Sequence, residues 1–116
     1  MDDPVLDVDD FLERVQNDTD LLFELLDIFI NDYQIKRAKL EDAVNGNDYE
    51  SVEHIAHFLK GSCGNISAKS LNMLFHNLEV KGRSRQLDNT KQDLVQIDQQ
   101  FEDLMKAIGE IRAKLR

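Results

Sequence analysis

The residues best suited to chemistry lie on one face of a helix predicted from about Glu50 to Ile66. At about 100° per residue, this face carries Glu50, Glu53, His54, His57, Lys60, Gly61 and Gly64. Imidazole is a competent nucleophile near neutral pH, because the ordinary histidine pKa of about 6.5 leaves most of it unprotonated. Each glycine costs an exposed helix about 1 kcal/mol relative to alanine, so helix formation does not explain the pair. We interpret both glycines as clearing the surface beside His57 for a bulky partner.

A metal site is an alternative use of the same face, because His54 and His57 stand three residues apart. Glu50 and Glu53 are close, but no third histidine or cysteine is near enough to complete a good ligand set. We therefore predict no bound metal and interpret His54 as a neighbour that tunes the local charge. His76, farther along the chain, is interpreted as a surface residue.

The run AHFLKGSCGNISA, Ala56 to Ala68, resembles the signature of histidine phosphotransfer (HPt) domains. That signature is H-x-L-K-G-S followed shortly by a Gly-Ala pair, and it is matched here by His57, Leu59, Lys60, Gly61, Ser62 and Ala68. Ser67 departs from the pattern, because it stands where the family usually has the glycine of the pair. The spacing of the predicted helices on both sides extends the resemblance to nearly the whole chain.

The resemblance implies that His57 accepts a phosphoryl group from an aspartyl phosphate and later passes it on. Lys60, one turn away, is placed to neutralise charge on the phosphoryl oxygens, and Gly61 is expected to keep the approach open. Three further residues on or beside this face are predicted to contribute to partner binding: His54, Phe58 and Gly64.

The implied partners are response regulator receiver domains and a hybrid sensor histidine kinase. Mg²⁺ is expected on the receiver domain, and no cofactor is expected on this chain. The sequence contains neither a P-loop pattern nor a kinase glycine-rich loop. We therefore expect a phosphocarrier and not an enzyme with its own ATP site.

Apolar residues spaced three and four apart predict the helices that must position this face. In the His57 helix the buried stripe is Val52, Ile55, Leu59, Cys63 and Ile66. A short amphipathic helix around Val8 to Val15 and a long one from Asp18 to Asn45 precede it. Two more follow, one stopping at Gly82 and one starting at Thr90 with a seam that runs to Leu115. The predicted fold is all-α, an antiparallel four-helix bundle with an additional short N-terminal capping helix, in one domain over residues 1–116.

The turns between these helices carry recognisable capping residues. Asn45-Gly46 is predicted to end the long helix as a left-handed cap. Asn47 is predicted to cap the His57 helix, with Glu50 completing a capping box, and Ser67 to cap the helix after it.

Charge, cysteine content and hydropathy disfavour several classes of protein. A net charge of -9 over 116 residues disfavours nucleic-acid binding, which needs a basic face. The single cysteine, Cys63, lies on the apolar stripe and is interpreted as a core residue. No apolar run is long enough for a membrane span, and Met1-Asp2-Asp3 is unlike a secretory signal, so we expect a cytoplasmic protein without membrane insertion.

A non-catalytic adaptor or dimerisation bundle that binds a signalling partner is the alternative function. It is favoured by the wide apolar face of the long helix from Leu21 to Ile35, where Leu21, Leu25 and Ile28 extend the apolar surface beyond one stripe. An acid-labile, base-stable phosphate on the chain would distinguish the phosphocarrier from the adaptor.

Overall fold

Five helices make up most of residues 4–115, the part of the chain that the computed structural model describes. They are α1 (Val8–Arg14), α2 (Thr19–Asn45), α3 (Tyr49–Asn65), α4 (Lys69–Arg83) and α5 (Thr90–Leu115). No strand occurs within residues 4–115. The predicted all-α class, with four long helices and one short N-terminal helix, is confirmed.

The four long helices form a ring in which each one packs against two neighbours. α3 lies between α2 and α4, and α5 closes the ring by packing against α4 and α2. Short turns at 46–48 and 66–68 reverse the chain, so α2, α3 and α4 alternate in direction. α3 and α5 therefore occupy diagonal positions in the bundle.

The core follows the predicted stripes with three differences. On α3 the fully buried residues are Val52, Ala56, Leu59 and Cys63, and Ile55 is only partly buried. Cys63 is a core residue, as predicted. On α5 the buried apolar residues are Leu94, Ile97, Leu104, Ile108 and Ile111, whereas Leu115 is exposed. Gly82, predicted to stop α4, lies inside the helix and is buried.

The predicted caps at the two central turns are wrong in detail. Asp48, not Asn47, is the N-cap of α3, and its carboxylate accepts from the backbone N–H of Ser51. Asn47 instead takes the left-handed conformation at φ 52°, while Gly46 has φ -90°. Asparagine tolerates that conformation, so the chain can place its turn one residue later than the glycine suggests.

Ser67 does not cap α4, because Ala68 occupies the N-cap position without a side-chain hydrogen bond. Ser67 has φ 64° and is buried. Its hydroxyl donates to Asp10 Oδ2 at 2.6 Å, and its carbonyl accepts from the Asp7 N–H at 3.1 Å. These two bonds hold α1 against the turn between α3 and α4, where it caps one end of the bundle.

None of the helices described for residues 4–115 is long and apolar enough to cross a membrane.

Candidate functional site

The His57 side chain lies on the outer surface of α3, beside α4. It is 67% exposed, and its Nδ1 lies 2.7 Å from Oε2 of Glu79 on α4. The other ring nitrogen, Nε2, has no hydrogen bond to any residue among 4–115. One edge of the imidazole is therefore held by α4 while the opposite edge faces solvent.

Glu79 is the centre of the site, although sequence reasoning did not identify it. Its side chain is 4% exposed, and Lys60 Nζ donates to its Oε1 at 2.7 Å. Arg83, one turn later on α4, donates to Oε2 at 3.2 Å. The Nδ1 of His76 lies 3.7 Å from Oε1, close enough for charge interaction but too far for a hydrogen bond. A buried carboxylate is thus surrounded by basic side chains from both helices.

These contacts explain the ionisation of Glu79. The Lys60 ammonium, and after it the hydrogen bond from His57, lower the pKa of the Glu79 carboxyl from 4.5 to about 2. Burial acts in the opposite direction, because it penalises the charged form. The hydrogen bonds dominate, so Glu79 is a carboxylate at neutral pH.

The turn of α3 that carries Lys60 is also held to α4. Asn72 Nδ2 donates to the Lys60 carbonyl at 2.8 Å. A Cβ on Gly64 would come within 3.3 Å of the same Asn72 amide, so Gly64 leaves room for this bond. The predicted binding residue Gly64 therefore has a packing contact with α4.

Gly61 lies on the exposed surface one turn after His57. Its backbone is ordinary helix, and a Cβ built on it would meet nothing within 4 Å. Neither packing nor backbone conformation requires glycine here. The absence of a side chain leaves open space beside the imidazole.

The two remaining predicted binding residues lie on either side of His57. His54 is exposed and makes no hydrogen bond or ion pair within residues 4–115. Phe58 is partly exposed on the side facing α2, where the Lys36 ammonium lies 4.7 Å from its ring centroid. Phe58 also borders a groove of about 270 Å³ that is lined by Leu25, Ile28, Phe29, Asp32, Phe58, Ser62, Asn65 and Ile66.

Glu79 and Arg83 are the site residues that sequence reasoning missed. A signal for Glu79 was present, because Phe75, Leu78 and Gly82 mark the buried side of α4 and Glu79 falls among them. A charged residue on a core-facing stripe needs a partner, and that need points to a functional or paired carboxylate.

No group of three or more His, Cys, Asp or Glu side chains within residues 4–115 is arranged to hold a metal ion.

A bundle of four long helices that presents an exposed histidine beside a lysine is the arrangement that the resemblance to small helical phosphotransfer proteins implies. A family model described as Hpt domain matches residues 24–110, which is most of the chain. The chain therefore belongs to the Hpt domain family, and it functions in histidine phosphotransfer in phosphorelay signalling.

Among solved structures, the chain is similar to the crystal structure of histidine-containing phosphotransfer protein B (HptB) from Pseudomonas aeruginosa PAO1. The two share 26% sequence identity with a TM-score of 0.87, over 99% of this chain and 100% of that one. No curated protein sequence matches the chain. Hpt domains are phosphocarriers, and the family implies receiver domains and kinases as partners.

Proposed function

We propose that His57 is the phosphoacceptor and that its Nε2 atom carries the phosphoryl group. The observation that supports this most directly is the 2.7 Å contact between His57 Nδ1 and the Glu79 carboxylate. It leaves Nε2 as the free nitrogen, on a side chain that is 67% exposed.

The chemistry of the pair determines which nitrogen carries the proton. Glu79, with its pKa lowered to about 2, is ionised at neutral pH and can only accept hydrogen bonds. The proton of a neutral His57 therefore belongs on Nδ1, and the Nε2 lone pair is directed to solvent. Glu79 acts as a positioning residue that selects the nucleophilic tautomer.

In the proposed step, the Nε2 lone pair forms a bond to the phosphorus of an aspartyl phosphate. The bond between phosphorus and the aspartyl oxygen breaks, and its electron pair leaves with the aspartate carboxylate. The ring gains positive charge while Nδ1 keeps its proton. Glu79, at hydrogen-bond distance from Nδ1, stabilises that positive charge, and the reverse step returns the phosphoryl group to another aspartate.

We propose two roles for Lys60. Its ammonium bonds to Glu79 Oε1 at 2.7 Å, so it keeps the carboxylate ionised and oriented toward His57. Its side chain is 25% exposed and lies one turn from His57, so it also contributes positive potential where the phosphoryl oxygens would lie.

The receiver domain is proposed to dock over His57 and the adjacent groove between α2 and α3. Phe58 follows His57 directly and borders that groove, so a globular partner reaching Nε2 meets both. Half-exposed Ile28 adds apolar surface on α2. The wide apolar face that favoured the adaptor alternative is therefore interpreted as the docking surface of the carrier.

We further propose that the chain acts without an ATP site of its own. The receiver domain would bring the aspartyl phosphate together with its Mg²⁺, while this chain supplies the nucleophile and its orientation. We expect the exchange to take place in the cytoplasm, because the phosphoryl groups of two-component signalling originate from ATP.

The test is phosphate transfer from a receiver domain. The chain is incubated with Mg²⁺ and a receiver carrying a radiolabelled aspartyl phosphate, and we expect label on the chain that survives alkali but is lost in acid. His57→Gln should take up no label and should keep its melting temperature, because Glu79 retains Lys60 and Arg83 as partners.

The matched control is His54→Gln, which changes an exposed histidine one turn away and should label like the parent. Loss of label in His54→Gln with labelling retained in His57→Gln would show that the nucleophile is wrongly assigned. A chain that takes up no label from a competent receiver would contradict the proposed function.

A further inference from the structure

At Gly82, on α4, the backbone of α3 lies too close to leave room for a side chain. A Cβ added there would lie 2.7 Å from Glu53 N, 2.9 Å from Tyr49 O and 3.0 Å from Glu53 Cα. No side-chain rotation could relieve these close contacts, because all three atoms belong to the backbone of α3. By contrast, a Cβ on Gly61 or Gly109 would meet nothing within 4 Å.

This contact lies one helical turn from the pair formed by His57 and Glu79. Gly82 follows Glu79 by three residues on α4, and Glu53 precedes His57 by four residues on α3, so each pair shares a helix face. The contact between His57 Nδ1 and Glu79 Oε2 therefore lies one turn from a close approach of the two helices.

We propose that Gly82 is a positioning residue for phosphotransfer, because it lets α4 approach closely enough for Glu79 to hold Nδ1 of His57. The inference rests on the proposed role of His57. Gly82 does not touch the reacting atoms, but it sets the helix spacing that keeps the proton of His57 on Nδ1.

The size of the helix displacement that an alanine would require supports this role of Gly82. Moving a Cβ from 2.7 Å to an ordinary contact of about 3.4 Å requires the helices to separate locally by about 0.7 Å. Asn72 ties the other end of α4 to the Lys60 carbonyl, so α4 would pivot about that bond. Glu79 lies much nearer to Gly82 than to Asn72 and would follow most of the shift. Its 2.7 Å bond to His57 would then reach the outer limit of about 3.2 Å for a good hydrogen bond.

The first experiment compares Gly82→Ala with Gly109→Ala in the full chain without any phosphate donor. Nitrogen-15 NMR of the histidine rings reports which nitrogen of His57 carries the proton. We expect one tautomer, protonated on Nδ1, in the parent and in Gly109→Ala, and a mixture of tautomers in Gly82→Ala. A purely structural role would lower the melting temperature of Gly82→Ala and leave the tautomer unchanged.

The second experiment measures the rate of transfer from a phosphorylated receiver. Gly82→Ala should be about tenfold slower than the parent, the lower range for loss of one hydrogen bond to a charged group, while Gly109→Ala should match the parent. In a Glu79→Ala background, Gly82→Ala should cause little further slowing, because Glu79→Ala has already removed the acceptor for His57 Nδ1.

An unmixed Nδ1-protonated tautomer in folded Gly82→Ala would overturn the inference, and so would an additive loss of rate in the Glu79→Ala background. A Gly82→Ala chain that fails to fold would overturn it too, because the glycine would then serve the bundle as a whole. The tautomer readout needs no phosphate. If the parent takes up no label, the proposed function is wrong. If the tautomer is unaltered in Gly82→Ala, only the role assigned to Gly82 is wrong.

Discussion

At the residue scale, the site depends on one buried carboxylate whose partners come from two helices. Burying a charge is costly unless it is hydrogen-bonded, and Glu79 meets this condition through Lys60, His57 and Arg83. The same bonds that satisfy Glu79 orient the His57 ring. Stability and reactivity are therefore coupled at this residue.

That coupling predicts a pH dependence of stability. The folded-state pKa of Glu79 is lowered from 4.5 to about 2, so its ionised contacts stabilise the fold fully above about pH 5. The contribution, on the order of 3 kcal/mol, is lost as the pH falls from about 4.5 toward 2. Urea unfolding at pH 7, 4 and 2.5 should show that the difference in unfolding free energy between the parent and Glu79→Gln shrinks with acidity. A difference that is constant across these pH values would contradict the prediction.

Also at the residue scale, substitutions at Gly61 should change phosphotransfer without lowering stability. Its backbone is ordinary helix and its surroundings are open, so Gly61→Ala should be neutral or stabilise the chain by about 0.5 to 1 kcal/mol. Gly61→Gln should fold equally well, but its side chain would lean back toward the preceding turn and obstruct the approach to His57.

The measurements for Gly61 are thermal melting and transfer from a phosphorylated receiver. We expect an unaltered or raised melting temperature with transfer strongly reduced for Gln and less reduced for Ala. Gly109→Gln, on α5 and equally open, is the matched control and should transfer like the parent. Transfer at the parental rate by Gly61→Gln would show that the glycine does not clear a landing surface.

At the element scale, Ser67 joins the capping helix α1 to the turn between α3 and α4. It holds the left-handed φ of 64° that costs a non-glycine residue about 1 to 2 kcal/mol, and its hydroxyl bond to Asp10 offsets part of that cost. The same bond is the largest cause of the lowered pKa of Asp10. The family's glycine would relieve the backbone and keep the carbonyl bond to the Asp7 N–H, but it would lose the hydroxyl bond to Asp10.

Two substitutions at Ser67 distinguish the contribution of the hydroxyl bond from the cost of the left-handed backbone. Ser67→Gly loses the hydroxyl but relieves the backbone, so we expect a small change in unfolding free energy. Ser67→Ala loses the hydroxyl and keeps the strained φ, so it should be the more destabilising by about 1 kcal/mol. Urea unfolding of both variants at pH 7 measures the difference. Greater destabilisation by Gly than by Ala would mean that left-handed strain at Ser67 is negligible.

The helices were predictable from the sequence because their apolar stripes are long, whereas the turns and the inter-helix contacts were not. Asp48 and Asn47 are neighbours with similar capping chemistry, so sequence did not distinguish which one starts α3. Gly82 resembled a helix stop, because a glycine needed for close packing has the same local appearance as a terminal glycine. Glu79 was missed because its partners are distant in sequence, although its place on the buried stripe was visible.

At the scale of the whole molecule, the candidate site and its groove lie on one side of the bundle, away from α5. α3 carries His57 and borders the groove with α2, while α5 lies diagonally opposite α3 in the ring. Apolar side chains are exposed on both sides, Ile28 at 52% on α2 and Val95 at 67% on α5. Only the first lies beside the proposed docking surface, so equal substitutions at the two positions should have unequal effects.

Ile28→Lys should weaken docking of the receiver domain, because it places a charge where an apolar contact is proposed. We expect the rate of transfer at low chain concentration to fall about fivefold, the effect of losing about 1 kcal/mol of binding, and to recover at saturating concentration. We expect the loss only at low concentration because His57 and Glu79 do not contact Ile28, so their geometry is unchanged once the receiver is bound. Val95→Lys, the same kind of change at a more exposed apolar residue on α5, should leave transfer unaltered at every concentration. Equal losses in both variants would indicate a general effect of charge, and a loss in Val95→Lys alone would move the docking surface to the other side of the bundle.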